Sequence, residues 1–76
     1  MYAPLETVVL ERDMPVHGLR RGDLGVVVQV YPPRSLEVEF VTASGRTQAL
    51  VTVSVDDVRA VADTDLISVR TTRKTA

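Results

Sequence analysis

Along residues 35–42, SLEVEFVT, apolar and acidic side chains alternate. Leu36, Val38 and Phe40 fall on one side of an extended chain, Glu37 and Glu39 on the other. A helix would scatter those three apolar residues around its circumference, so the pattern predicts a strand with one buried face. The same reading finds four more strands. In ETVVLER, residues 6–12, Val8 and Leu10 share a face, with Glu6 in register at its solvent edge. In GVVVQVY, residues 25–31, Val26, Val28 and Val30 oppose Val27, Gln29 and Tyr31. In TQALVTVS, residues 47–54, Ala49, Val51 and Val53 oppose Gln48, Leu50 and Thr52, and the pattern leaves open which set points inward. RAVA, residues 59–62, reads as a last short strand. Valine dominates throughout; it is stiff at χ1 and suits a pleated surface.

The breaks between strands are equally regular. Pro32-Pro33 ends the second strand, because proline cannot donate to a ladder. Ala43-Ser44-Gly45-Arg46 reads as a hairpin turn with Gly45 free to take a positive φ. Val55-Asp56-Asp57-Val58 reads as one 3₁₀ turn, its aspartates capping backbone donors. Between the first two strands lies a long irregular loop, DMPVHGLRRGDL, from Asp13 to Leu24. Five short strands, a long first loop and a 3₁₀ turn before the last strand predict an all-β fold, a small SH3-like barrel over residues 1–62. Residues 63–76, DTDLISVRTTRKTA, are polar and Thr-rich apart from Leu66, Ile67 and Val69, and read as a flexible C-terminal tail.

Composition narrows the picture. At 76 residues the chain is one domain with a small core, and without cysteine it has no disulfide to reinforce it. The apolar runs are too short to span a bilayer as helices, and the N-terminus lacks a secretory pattern, so a cytoplasmic location is expected, with no membrane partner. The net charge is −1. Residues 1–62 carry six arginines against eight acidic residues, a balance that disfavours a strong nonspecific nucleic-acid binder.

Candidate chemistry is sparse. His17 is the single histidine; a general base would need an orienting partner and a nucleophile, and one histidine without cysteine cannot build a usual zinc site. Glu37 and Glu39 share one strand face rather than flanking a cleft, so they read as a solvated surface. Arg21-Gly22-Asp23 matches an integrin-binding tripeptide by letters only, and Asp23 reads as a backbone acceptor within the turn. No catalytic, cofactor or metal residue is expected. The candidate binding residues are His17, Arg20, Arg21, Tyr31 and Arg34, with the arginines expected to gather at one barrel end and Tyr31 adding a stacking face.

The spacing Gly22-x-x-Gly25-x-Val27-x-x-Val30 resembles the KOW-type stretch of ribosomal and transcription-elongation barrels, and an arginine-glycine turn of the nitrile hydratase β subunit. A longer match runs through "LERDMPVHGLRRGDLGVVVQVY" and "LEVEFVTASGRTQALVTVSVDDVRAV". Asp13, Pro15, Gly18, Leu19, Gly22, Asp23, Gly25, Val38, Glu39, Phe40, Asp57, Val58 and Arg59 follow the pattern of a small bacterial family, domain-of-unknown-function family 4926. That resemblance covers roughly residues 5–62. It implies the barrel and no activity.

The expectation is therefore a noncatalytic protein-interaction module that self-associates, with a homodimer or another protein as partner. Val9, Val27, Tyr31 and Val41 look apolar where solvent is expected, as an interface would be. The alternative is an RNA- or nucleoprotein-associated KOW-like barrel.

Overall fold

The computed structural model describes residues 1–71. The last five residues of the expected tail, 72–76, lie outside it. Five strands, β1 (Thr7–Leu10), β2 (Leu24–Tyr31), β3 (Ser35–Val41), β4 (Thr47–Ser54) and β5 (Val58–Ala60), form one antiparallel sheet in the order β4-β3-β2-β1-β5. The helical elements among the described residues are two 3₁₀ turns, Pro15–His17 and Val55–Asp57. The all-β class and the 3₁₀ turn before the last strand are as the pattern predicts. The last strand begins one residue earlier, with Val58 buried in the core.

β3 behaves as its alternation requires, burying Leu36, Val38 and Phe40 against Val8, Leu10, Leu19, Val27, Val51, Val53 and Val58. Val51 and Val53 settle the facing of β4: they point inward, and Leu50 is more than half exposed. β2 departs from simple alternation. A bulge between Val27 and Gln29 shifts its register against β3, so Val27 is fully buried and Val30 packs at the edge of the same core. One extra residue in a strand exchanges its two faces. β1 is hydrogen-bonded on both sides and buries Val8, Val9 and Leu10 together. The outer apolar face expected from Val9, Val27, Tyr31 and Val41 therefore does not form; of the four, Tyr31 and Val41 are exposed.

β5 pairs with β1, Val8 facing Ala60, and so ties the two ends of the domain together. The second 3₁₀ turn is held by a capping box. The Ser54 amide donates to Asp57 Oδ2 at 3.0 Å, and the Asp56 amide donates to Ser54 Oγ at 3.2 Å. Beyond β5, residues 61–71 have no regular secondary structure, and Leu-Ile-Ser-Val (66–69) adds no strand.

Candidate functional site

The loop from Glu11 to Asp23 is built largely by backbone hydrogen bonding. Gly18 (φ 70°) reverses the chain after the first 3₁₀ turn and sends Leu19 into the core. Two aspartates accept loop amides: Asp13 Oδ1 from Arg21 and Asp23 Oδ2 from Arg20, each at 2.8 Å. Gly22 (φ 97°) then turns the chain so that its amide reaches the Leu10 carbonyl at 2.7 Å. The polar residues of this loop thus divide into two sets. The aspartates hold the backbone, and the side chains of His17, Arg20 and Arg21 stand in solvent.

The tail returns to this loop. Arg70 grips Asp23 with two nitrogens, Nε at 2.9 Å from Oδ1 and Nη2 on Oδ2, and donates from Nη2 to the Gly18 carbonyl at 3.0 Å. Nearer β5, Arg59 makes a two-pronged pair with Asp65, Nη1–Oδ2 2.8 Å and Nη2–Oδ1 2.9 Å, and its Nε lies 3.4 Å from Glu11. Burial alone would raise the Asp23 pKa, but the Arg70 hydrogen bonds, the Arg20 amide and both positive charges carry it below the usual value. Hydrogen bonds from Arg59 and from the Ala62 amide hold Asp65 at about 2. Each clamp keeps its arginine charged.

Between the loop, the β3–β4 hairpin and the tail runs an open groove of about 1230 Å³. Five arginines line it, Arg20, Arg21, Arg46, Arg59 and Arg70, against two aspartates, Asp23 and Asp65. Both aspartates are already taken by Arg70 and Arg59. Val41, Leu66, Ile67 and Val69 add apolar surface, and all four are at least half exposed. Seven arginines fall within the described residues. Four of them, Arg12, Arg34, Arg59 and Arg70, are ion-paired. The other three, Arg20, Arg21 and Arg46, form no ion pair among the described residues, and all three line this groove.

The candidate residues do not all meet here. Arg20 and Arg21 precede β2, Tyr31 ends it and Arg34 follows it, so the eight-residue strand holds the pairs roughly 25 Å apart. Arg34 is engaged with Asp56, Nη2–Oδ2 2.6 Å. The Tyr31 hydroxyl donates to Glu37 Oε1 at 2.9 Å, which raises its pKa. His17 sits on the first 3₁₀ turn; its carbonyl accepts from Gln48 Nε2 at 3.4 Å, and its ring makes no hydrogen bond among the described residues. Arg46 takes the place expected for Arg34. Arg46 and Arg70 were not legible as site residues, since one reads as a turn residue and the other contacts a partner 47 positions away.

No group of three potential metal-ligating side chains comes together among the described residues, and no helix there is long and apolar enough to cross a membrane. One family model, Domain of unknown function (DUF4926), matches residues 5–60. No curated protein and no solved structure matches the chain.

Proposed function

The chain belongs to the DUF4926 family, and from its groove we propose that it is a noncatalytic interaction module whose arginine-rimmed face takes an acidic, partly apolar segment of another protein. The observation that carries this reading is the sorting of the arginines among the described residues: each one outside the groove is ion-paired, and the three without an ion pair converge on it. A guanidinium left unpaired beside open apolar surface suits carboxylate recognition, because its planar fork meets both carboxylate oxygens. Val41, Leu66 and Ile67 supply apolar contact beside it.

The same arginines would also attract phosphate. A single-stranded nucleic acid needs aromatic faces for its bases as well. Phe40, the groove's aromatic residue, is 2 % exposed, and Tyr31 stands at the far end of β2. This favours a protein segment over RNA.

The test uses fluorescence anisotropy with a labelled peptide of about ten residues alternating Glu and Leu, and in parallel a labelled uridine oligomer of about the same length. The peptide is expected to bind the wild-type chain and to weaken about tenfold or more with Arg20→Glu/Arg21→Glu. Equal peptide binding by that variant would sink the reading. So would oligomer binding tighter than peptide binding, with affinity falling linearly in log salt.

A further inference from the structure

β4 is an edge strand, and among the described residues nothing pairs with its outer side. Which backbone groups it offers follows from its register on β3. Leu36 faces Val53, Val38 faces Val51 and Phe40 faces Ala49. In the same register, the Val55 amide donates to the Arg34 carbonyl at 2.9 Å. Hydrogen-bonded positions recur every second residue in an antiparallel pair. Val51 and Val53 therefore bond inward to β3, and the N–H and C=O groups of Leu50 and Thr52 point outward. Ser54 fits this phase, since its amide goes to Asp57 rather than to β3. At the other end, Gln48 is approached by the first loop through its contact with the His17 carbonyl.

Natural edge strands are usually blunted by charge, proline, a bulge or short length. From Thr47 to Ser54 this strand has no charged residue, proline or glycine, and it is eight residues long; its one irregularity against β3 leaves Gln48 as an extra residue near its start, and from Ala49 to Ser54 the pairing is regular. Its charges lie just beyond its ends, Arg46 before it and Asp56 and Asp57 after it, opposite in sign. We propose that β4 pairs edge to edge, antiparallel, with β4 of a second copy of this chain, with Leu50 opposite Thr52 of the second copy and Thr52 opposite its Leu50. That two-fold register satisfies the outward groups of both residues in each copy. It brings two uncharged strands together without repulsion. It also sets Arg46, which has no ion pair among the described residues, beside the acidic turn of the second copy, where Asp56, paired with Arg34, is still largely exposed, at both ends of the joint strand. The second copy is thus favoured over an unrelated strand by the charge pattern itself. The two readings share Arg46, but they are tested at different residues, Arg20 and Arg21 for the groove and Leu50 and Thr52 for the edge, so they fail separately.

Two measurements test it. Sedimentation velocity between about 10 μM and about 1 mM should show the wild-type chain passing from monomer to dimer, the range expected of a small interface. Leu50→Lys/Thr52→Lys places like charges opposite each other and should remain monomeric. Leu50→Lys/Thr52→Glu places Lys opposite Glu twice and should dimerise, with the dimer dissolving at high salt. Amide exchange on the wild-type chain needs no variant: protection at Leu50 and Thr52 should rise with concentration, while Val51 and Val53 stay as they are. A wild-type chain that is monomeric throughout, with exchange at Leu50 and Thr52 independent of concentration, overturns the proposal. A dimer that survives in the Lys/Lys variant, or a folded Lys/Glu variant as monomeric as the Lys/Lys one, overturns it equally.

Discussion

Gly22 and Gly25 are three residues apart and irreplaceable for different reasons. Gly22 has φ 97° with open space where a Cβ would go, so a substitution there is strained by the backbone alone. Gly25 has no positive φ, but a Cβ would lie 2.5 Å from Val38 Cγ1 and 2.8 Å from Phe40 Cε1. Gly22→Ala should cost roughly 1–2 kcal/mol, and Gly25→Ala about 1–3 kcal/mol through overpacking. Urea titrations in a Val38→Ala background separate the two causes: the Gly25→Ala cost should shrink there and the Gly22→Ala cost should not. Phe40, buried in the core from β3, should cost about 3–5 kcal/mol on truncation to alanine, read as loss of a cooperative melt. Asp65 carries the clearest pH signature. Its folded pKa, about 2, lies below that of a free aspartate, so its contribution is full above the free value and is lost as pH falls through the folded one. Carboxyl NMR shifts should therefore show Asp65 still ionised at a pH where a free aspartate has begun to protonate.

At the scale of elements, the strands were legible and their irregularities were not. The alternation from Leu36 to Phe40 fixes β3 because a period of two admits one buried face. β2 carries valine on both faces, so nothing in its letters marks the bulge that brings Val27 and Val30 to the same core. The loop was legible as a bend through Gly18 and Gly22, and Asp23 as an acceptor of the Arg20 amide. The groove was only half legible. Arg20 and Arg21 belong to it, Arg34 and Tyr31 do not, and Arg46 and Arg70 reach it through a sheet register and a tail path that residue spacing does not encode. The division of labour inside the loop gives a direct check. His17→Ala/Arg20→Ala/Arg21→Ala removes exposed side chains that make no side-chain hydrogen bond or ion pair among the described residues and should melt near wild type, each change costing less than about half a kcal/mol. Asp13→Ala leaves the Arg21 amide without its acceptor and should loosen the loop, seen as faster amide exchange at Arg21.

For the molecule as a whole, the tail and the sheet are joined by charge rather than by apolar packing. Leu66 and Val69 are almost fully exposed, and Asp65 and Arg70 tie this stretch to β5 and to the loop through ion pairs. Arg70→Ala should therefore lower the melting temperature only modestly, since its pair with Asp23 is part-buried but still open to solvent screening, while amide exchange across residues 66–70 accelerates. The sheet is held differently. Val8 pairs with Ala60, and Glu11 donates its amide to Asp57, so β1 can complete its pairing only with the last strand. Seen in time rather than in space, this makes β1 a strand that waits. A chain leaving the ribosome has synthesised β2, β3 and β4 before β5 exists, and closure of so long a loop is slow. Throughout that interval the uncharged run from Thr47 to Ser54 is open to any neighbouring nascent chain. Arg46 on one side and Asp56 and Asp57 on the other then act as gatekeepers, admitting an antiparallel match and repelling a parallel stack of identical strands.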